Sequence, residues 1–311
     1  MNRQKIIDLL AMSRFANLPT VWSNGLLGVI LGWSIFRSQA DLNPFSLALI
    51  GLALSCLYLG GCFFNDWHDV EFDENTRPDR PIPSGRWKRK TILLFSVTLM
   101  CGGLVLSTLA SLPSAVFSLC IIICILVYTR WHKAHPASFL AMAGARAFIY
   151  PAAAFSLLSW NDWMAPKYPP SSFFFIWVGL ALGLYILGIS LTARSETSAT
   201  PGSDSKKVIP VLCLCAPVVI ISAPFLLLMK NGWALPPFIL FVGIIGFCVR
   251  RLRSTHQVGT FVSRTLAAIP LVDFLFIFPL LTVATKDPLL LFLSPALALA
   301  ALALQKIAPA T

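Results

Sequence analysis

Long apolar runs recur along almost the whole chain, and they restrict the possible fold more than any other feature of the sequence. An α-helix needs about 20 consecutive apolar residues to cross the hydrocarbon core of a bilayer. With 57% hydrophobic and 12% charged residues in a chain of 311, the sequence predicts a polytopic, all-α membrane helix bundle. The predicted spans are residues 16–36, 44–64, 91–111, 114–130, 137–159, 172–192, 208–229, 233–250 and 263–284, with a weaker tenth candidate at 288–305.

The chain contains no linker long enough to separate two domains, so we expect residues 1–311 to form one membrane domain. The first apolar run is too long for the core of a signal peptide and lacks a small-residue cleavage site. We therefore expect this run to be the uncleaved first span.

The positions of the basic residues predict the orientation of the bundle. With the N-terminus inside, the inner loops hold most of the 24 Lys and Arg residues. The outer loops hold only Arg37, Lys167, Lys230 and Lys286. Because an excess of Lys and Arg marks the cytoplasmic side, the loop after the second span is expected to be cytoplasmic. The expected location is a bacterial inner membrane.

The net charge of +11 does not indicate a nucleic-acid partner, because the basic residues cluster in loops on one side of the predicted bundle. It favours contact with anionic membrane lipid or with a diphosphate instead. All eight cysteines lie in apolar runs, which predicts small buried side chains and neither disulfides nor metal ligands.

One polar stretch interrupts the apolar pattern, NDWHDVEFDENTRPDRPIPSG at residues 65–85. A helix would place Asp66, Asp69 and Asp73 on one face, with Asn65 beside them. Like charges stacked in this way repel each other. A divalent cation removes that repulsion, and hard oxygen ligands suit magnesium. The stretch therefore predicts a Mg²⁺ site.

Arginines follow the acidic residues, with three prolines interspersed. Guanidinium groups beside a carboxylate-bound metal ion are suited to a diphosphate, so Arg77 and Arg80 are predicted to bind one. The alternative is an acidic, solvated loop between two membrane helices.

The pattern Asn65-Asp66-x-x-Asp69-x-x-x-Asp73, followed by Arg-Pro-x-Arg-Pro-x-x-x-Gly, resembles the first aspartate motif of the UbiA superfamily of intramembrane prenyltransferases. LPTVWSN at residues 18–24 and ARSE at residues 193–196 are similar to the EboC-like branch of that superfamily.

This resemblance implies a bundle of nine helices around a central cavity that opens to the cytoplasmic side. It implies an enzyme that transfers a prenyl group from an isoprenyl diphosphate to a hydrophobic acceptor of aromatic or quinone type. By the same resemblance, Asp66, Asp69 and Asp73 would be catalytic and would hold Mg²⁺ on the diphosphate, with Asn65 as a substrate contact.

The family has a second aspartate-rich motif at the end of the sixth span, and this sequence departs from it. Glu196 is the acidic residue in register, and Arg194 precedes it by two positions. One carboxylate and one guanidinium can still hold a diphosphate, and Glu196 would be a metal ligand. The alternative is that this loop has lost its metal role. That alternative favours a non-catalytic protein of the same fold that binds or carries a lipid intermediate.

The end of the fourth span, YTRWHK at residues 128–133, is similar to a Tyr-x-x-x-Lys element of the family, with Lys133 one position further along. Tyr128 and Lys133 at a cytoplasmic helix end would donate hydrogen bonds to the leaving diphosphate. The alternative is an interfacial anchor built from an aromatic residue and basic residues.

Polar residues inside apolar spans are costly without partners and are therefore candidates for function. Asn17 and Asn24 lie in the first span. The family has an asparagine near these positions that lines its pocket, and the resemblance implies that Asn17 or Asn24 faces the cavity, with both as candidate substrate contacts and with helix–helix hydrogen bonding as the alternative. Arg146 in the fifth span is predicted to bind substrate near the inner mouth. Asp273 in the ninth span receives no role, and Arg146 and Asp273 could instead pair across the bundle.

Overall fold

The structure, a computed structural model, describes residues 3–36, 43–132, 135–164, 173–195, 205–228, 230–255, 257–284 and 288–306. All regular secondary structure within these ranges is helical. The predicted all-α fold is confirmed.

The helices follow one another along the chain and are numbered in that order. They are α1 (Arg3–Met12), α2 (Leu18–Phe36), α3 (Pro44–His68), α4 (Val70–Thr76), α5 (Arg89–Ala110), α6 (Leu112–Trp131), α7 (Phe139–Ala147), α8 (Ile149–Phe155), α9 (Trp160–Met164), α10 (Phe173–Ser195), α11 (Ser205–Pro217), α12 (Leu235–Thr255), α13 (Val258–Ala267), α14 (Ile269–Ala284) and α15 (Pro288–Leu304). Two π-helical turns, Val218–Ser222 and Pro224–Leu228, continue α11.

Each predicted span contains an apolar helix. Eight helical segments in the described ranges are long and apolar enough to cross a membrane. They are Phe15–Phe36, Pro44–His68, Arg89–Ala110, Leu112–Trp131, Phe174–Ala193, Ile209–Leu227, Gly232–Thr255 and Val258–Thr282. Two shorter apolar segments, Phe139–Phe155 and Leu291–Leu304, lie at the fifth predicted span and at the tenth candidate. The number of spans, nine with a possible tenth, stays a prediction, as does the single domain over residues 1–311.

The fifth predicted span is divided into two helices. α7 ends before Phe148 and α8 begins at Ile149, three positions after Arg146. Pro151 explains the division, because proline lacks an N–H group and its ring clashes with the carbonyl four residues earlier, that of Ala147. The break lets α7 and α8 contact different neighbours: α7 packs on α10, and α8 packs on α2.

Two glycines allow α2 and α8 to pack with their backbones close together. A Cβ atom on Gly28 would lie 2.5 Å from the carbonyl oxygen of Tyr150, and one on Gly32 would lie 2.7 Å from that of Ala154. Small residues spaced four apart are a common device for close helix packing in membranes. This contact fixes the register between α2 and α8, which matters because both helices carry polar side chains of the central network described below.

The helices on the outside of the bundle present large apolar side chains. Leu94, Val105 and Leu109 on α5 and Ile123 on α6 are exposed. An apolar surface of this extent on a soluble monomer would indicate an interaction site. In a bundle of membrane-length helices, it is the surface expected to face lipid.

A cysteine-labelling experiment tests the predicted orientation. The bundle has two ends: the acidic residues lie at one, while Phe36 at the end of α2 packs on Phe155 at the end of α8 at the other, with ring centroids 5.2 Å apart. In a variant without the native cysteines, we expect Glu74→Cys to be shielded from an impermeant thiol reagent in intact cells and labelled after permeabilisation. Asn161→Cys, at the opposite end, is the matched control and should be labelled in intact cells. Labelling with the reverse pattern would contradict the topology.

Candidate active site

The three aspartates of the acidic stretch lie at one end of the bundle, where the chain passes from α3 to α4. Asp66 is in the last turn of α3, Asp69 is the residue between the helices, and Asp73 is in α4. The backbone continues almost helically through the junction, because the Asp69 N–H donates to the Asn65 carbonyl and the Asp73 N–H donates to the Asp69 carbonyl, both at 2.9 Å. All three aspartates are buried, which concentrates negative charge in a poorly solvated place.

Arg80 joins the first and last of these carboxylates. Its Nη1 atom lies 2.8 Å from Asp73 Oδ2 and 3.7 Å from Asp66 Oδ1. The segment after α4 brings Arg80 back over the aspartates through tight turns, in which the Arg80 N–H donates to the Arg77 carbonyl at 3.1 Å. Gly85 then has a φ of 76°, in the left-handed region that glycine tolerates best.

A second arginine, Arg14, approaches the cluster from the chain between α1 and α2. Its Nη2 atom donates to Asp66 Oδ1 at 3.2 Å. The Arg14 backbone has a φ of 46°, a left-handed conformation that costs a non-glycine residue about 1–3 kcal/mol and is concentrated at functional sites. Burial lowers the pKa of the Arg14 guanidinium, but the Asp66 carboxylate, together with the Cys62 and Tyr58 side chains, outweighs that effect. The pKa therefore lies above its ordinary value, and the residue stays positively charged.

Asp69 faces a different set of partners. The Asn65 Nδ2 atom donates to Asp69 Oδ2 at 3.2 Å, and His132 Nε2 lies 3.4 Å from the same oxygen. His68 Nδ1 lies 3.6 Å from Asp69 Oδ1. The three aspartates thus share a helix end, as predicted, but Asp69 turns toward histidines while Asp66 and Asp73 share an arginine.

The end of α6 supplies His132 to the cluster. His132 Nδ1 lies 3.0 Å from the Thr129 carbonyl, and the ring is oriented with Nε2 toward Asp69. The Tyr128 ring stacks on the His132 ring with centroids 5.2 Å apart. Tyr128, predicted to contact the diphosphate, therefore packs beside the residue that reaches Asp69, and its catalytic role stays a prediction.

The donor set fits a divalent cation. In the part of the chain that the structure describes, no three His, Cys, Asp or Glu side chains stand close enough to hold a metal ion. However, the Arg80 Nη1 atom occupies a cation position between two carboxylates. Moreover, the buried Asn65 Oδ1 atom has no hydrogen-bond partner among the described residues. Carboxylate and amide oxygens are the ligands that Mg²⁺ and Ca²⁺ prefer.

The structure describes only some of the other residues that were predicted to bind substrate or metal. Arg77 is exposed at the end of α4. Asn17 is buried and accepts a hydrogen bond from Gln305 Nε2 at 3.0 Å, which ties the end of α15 to the start of α2. Lys133 and Glu196 lie outside the described residues. Arg194 lies near the end of α10, where the structure describes the helix but not this side chain. The roles predicted for these residues stay predictions.

A second polar cluster, the central network, lies deeper in the bundle. Asp273 on α14 accepts hydrogen bonds from Ser23 Oγ at 2.7 Å, Tyr150 Oη at 2.8 Å and Asn24 Nδ2 at 2.9 Å. All four of these residues are fully buried. The network links α2, α8 and α14, and each member finds the partner that a polar group in a membrane interior requires.

Arg146 joins the central network from α7. Its Nη1 atom donates to Thr20 Oγ1 at 3.0 Å and to Asn24 Oδ1 at 3.2 Å. No direct ion pair joins Arg146 and Asp273 among the described side chains, because the Asn24 amide lies between them. The Asn24 amide is engaged on both ends by other protein groups, and its predicted role as a substrate contact stays a prediction.

Several residues of these two clusters have no site role predicted from the sequence, among them Arg14, His132, Tyr150 and Asp273. Asp273 carried a signal, since an acidic residue in an apolar span is a candidate for function. Arg14 and His132 were next to predicted residues but had no pattern of their own. Tyr150 had no signal, because an isolated tyrosine in an apolar run is indistinguishable from a packing residue.

These features define a multi-pass, all-α integral membrane protein with an acidic and arginine-rich cluster at one end of its bundle. The chain belongs to the UbiA prenyltransferase family, whose sequence profile matches residues 25–260. The predicted superfamily is thereby confirmed, whereas the EboC-like branch is not.

Among curated proteins, the chain is similar to a digeranylgeranylglyceryl phosphate synthase from Methanosarcina barkeri. The two are 36% identical over 105 residues, which make up 32% of this chain and 36% of the relative. The chain therefore aligns with little more than a third of that relative's length. Because this relative is archaeal, it gives no support to a bacterial inner membrane.

Two solved structures share the fold. One, described as giving structural and mechanistic insights into the biosynthesis of digeranylgeranylglyceryl phosphate synthase in membranes, has a TM-score of 0.59 and 17% identity, covering 91% of this chain and 100% of that chain. The other, an apo structure of a UbiA homolog from Aeropyrum pernix K1, has a TM-score of 0.51 and 12% identity, covering 92% of this chain and 95% of that chain. At these identities the likeness concerns the fold alone.

Proposed function

We propose that this protein transfers a prenyl group from an isoprenyl diphosphate to a hydrophobic acceptor within the membrane. The observation that carries this proposal is the pair of buried carboxylates, Asp66 and Asp73, with the Arg80 guanidinium between them and Arg14 beside Asp66. Carboxylates that bind a cation, next to guanidinium groups that bind an anion, are together suited to a metal-bound diphosphate.

Asp66, Asp69 and Asp73, with the Asn65 amide oxygen, are the residues that would hold Mg²⁺, which the prenyltransferases of this family use. When bound, the ion would neutralise charge on the diphosphate as the bond between the prenyl carbon and oxygen breaks. Arg80 and Arg14 would bind diphosphate oxygens with charge-assisted hydrogen bonds, which strengthen as negative charge develops on the leaving group. Arg77, Lys133 and Tyr128 are further candidates for this role.

The apolar interior would protect the allylic cation from water until it meets the acceptor. The aromatic or quinone-type acceptor is part of the proposal and does not follow from the relatives, which are named for a prenylated glyceryl phosphate. Glu196 as a ligand of a second metal ion and Arg194 as a diphosphate contact also belong to the proposal. So does the assignment to the EboC-like branch.

The acidic cluster is proposed to face the cytoplasm, because most Lys and Arg residues fall on that side. Membrane lipid would surround the bundle. The second candidate, a non-catalytic protein of the same fold that carries a lipid intermediate, is favoured by the departure at Arg194 and Glu196 from the family's second motif.

Diphosphate release distinguishes the two candidates. The purified protein in nanodiscs would be given radiolabelled geranylgeranyl diphosphate and a lipid extract of the host as the source of acceptor. We expect Mg²⁺-dependent release of diphosphate, which falls about a hundredfold or more when the metal is chelated and returns when it is restored. Donor binding without release would support the carrier, and release that is unchanged by chelation would contradict the metal role.

A further inference from the structure

The Arg146 guanidinium has one edge engaged by protein and one edge available. A guanidinium carries five N–H donors, two of them on each Nη atom and one on Nε. The two donors on Nη1 are used by Thr20 Oγ1 and Asn24 Oδ1. Nε and Nη2 donate to no described residue, although the side chain is only half-buried in the interior of the bundle. The Nε–Nη2 edge is the one that matches a carboxylate or phosphate with two parallel hydrogen bonds.

The Arg146 guanidinium lies between the central network and the acidic cluster, beside the Tyr58 ring. The guanidinium carbon of Arg146 is 5.4 Å from the centre of the Tyr58 ring, and the Tyr58 hydroxyl donates to the Arg14 carbonyl at 3.2 Å. Tyr58 precedes Asp66 on α3 by eight residues, or about 12 Å along the helix. The Tyr58 side chain therefore lies between Arg146 and the backbone of Arg14, and it joins the central network to the acidic cluster.

The central network holds Arg146 in a fixed orientation. Asp273 and the Tyr150 hydroxyl both receive hydrogen bonds from Asn24 Nδ2, so the Asn24 carbonyl oxygen must point the other way. That oxygen accepts from Arg146 Nη1. Because both Asp273 oxygens accept hydrogen bonds from their neighbours, Asp273 fixes which end of the Asn24 amide faces the guanidinium. Burying charged and polar groups in a network of this kind costs free energy. The network holds the Arg146 guanidinium, whose Nε–Nη2 edge contacts no described residue.

We propose that Arg146 binds the anionic group of the acceptor, a carboxylate or a phosphate, through its Nε–Nη2 edge, and that Asp273 is a positioning residue acting through Asn24. This inference rests on the proposed function, since it places the acceptor in the same interior. It also limits the acceptor to an amphiphile whose acidic group and prenylated atom are close enough to lie between Arg146 and the acidic cluster.

Binding of simple amphiphiles tests the anion site without donor or metal. The probes are hexadecyl phosphate, palmitate and hexadecanol, which share a chain and differ in headgroup, added to the full-length protein in nanodiscs. We expect the wild type to bind at least one of the two anions more tightly than the alcohol. Arg146→Gln should weaken binding of that anion by about ten- to a hundredfold and leave binding of the alcohol unchanged. Arg146→Lys should recover only part of the loss, because an ammonium group cannot form the bidentate pair.

The same measurement identifies the anionic group of the acceptor. A preference for hexadecyl phosphate indicates a phosphate, and a preference for palmitate indicates a carboxylate. Equal binding of all three probes by the wild type, or wild-type affinity in Arg146→Gln, would overturn the proposal. Affinity for geranylgeranyl diphosphate with Mg²⁺, measured on the same samples, separates the two hypotheses. If it is absent while the anion preference remains, the prenyl-transfer function fails and the anion site does not. If it is present while the preference is absent, only the anion site fails.

A double-mutant cycle tests the positioning role of Asp273. Asp273→Asn should weaken binding of the preferred anion about tenfold in the wild-type background and have no further effect in Arg146→Gln. A purely structural role would lower the affinity for the anion and the alcohol equally and would persist in the Arg146→Gln background. If Asp273→Asn does not fold, Ser23→Ala, which removes one donor to Asp273, should show the same pattern with a smaller loss. Equal losses in both backgrounds would refute the positioning role.

Discussion

Asp66→Asn should lower the rate of prenyl transfer by about a hundred- to a thousandfold, the usual effect of removing a group that stabilises charge in a transition state. The neutral amide keeps the shape of the aspartate but loses the charge that attracts a cation. It also leaves Arg14 without its carboxylate partner and Arg80 with Asp73 alone. The rate should be measured as diphosphate released from geranylgeranyl diphosphate in nanodiscs, over a series of Mg²⁺ concentrations.

Two further variants make this result interpretable. Asp73→Asn keeps the Arg14–Asp66 pair and should show a loss of similar size, which separates the metal role from the ion pair. Glu74→Gln, an exposed acid in the same segment, should keep the wild-type rate and is the matched control for charge. The thermal unfolding midpoint of each protein shows whether it is folded. A folded Asp66→Asn protein with wild-type turnover and an unchanged Mg²⁺ dependence would falsify the assignment.

Gly28→Val should destabilise the bundle by about 3 kcal/mol, because it forces side-chain atoms into a backbone contact. Even a single Cβ atom at this position would lie 2.5 Å from the Tyr150 carbonyl oxygen and 2.8 Å from the Ala153 Cβ atom. Relief requires α2 and α8 to move apart, and that movement would pull Asn24 on α2 away from the Tyr150 hydroxyl on α8. We therefore expect a lower thermal unfolding midpoint, followed through the fluorescence of the native tryptophans in detergent.

Gly102→Val provides the matched control for this substitution. Gly102 is also a helix glycine in a predicted span, but a Cβ atom there meets no other atom within 4 Å. The control should unfold close to the wild-type temperature. Equal midpoints for Gly28→Val and Gly102→Val would show that the close approach of α2 and α8 is not needed for stability.

The membrane fold and the acidic cluster can be predicted from the sequence for physical reasons. A helix that crosses a bilayer must be apolar over its full length, so each span is visible as a run of residues. The acidic stretch is recognisable because six carboxylates within a short polar segment repel one another, and a bound cation is one of the few ways to stabilise them. Proline was also informative, since Pro151 accounts for the division of the fifth span, although the division itself was not predicted.

The sequence does not predict which side chains contact each charged residue. Asp69 was expected to act with Asp66 and Asp73, but its histidine partner comes from the end of α6, more than sixty residues later. Arg146 and Asp273 were considered as a direct pair, and the residue that links them is Asn24. Which side chains meet depends on helix rotation and register, and these are set by contacts such as Gly28 against Tyr150, which leave no periodic signal in an apolar sequence.

The hydrogen bonds between Asn24 and Asp273 span 249 positions of the chain, and this separation has a consequence for biosynthesis. At about 5–20 residues per second, a ribosome needs roughly 10 to 50 s to synthesise the intervening segment. During that time α2 is in the membrane with polar side chains whose partners on α14 and α15 have not yet been synthesised. Nascent chains stalled before Asp273 should therefore keep α2 in contact with the insertion machinery, and chains in which α14 and α15 have also been inserted should have lost that contact.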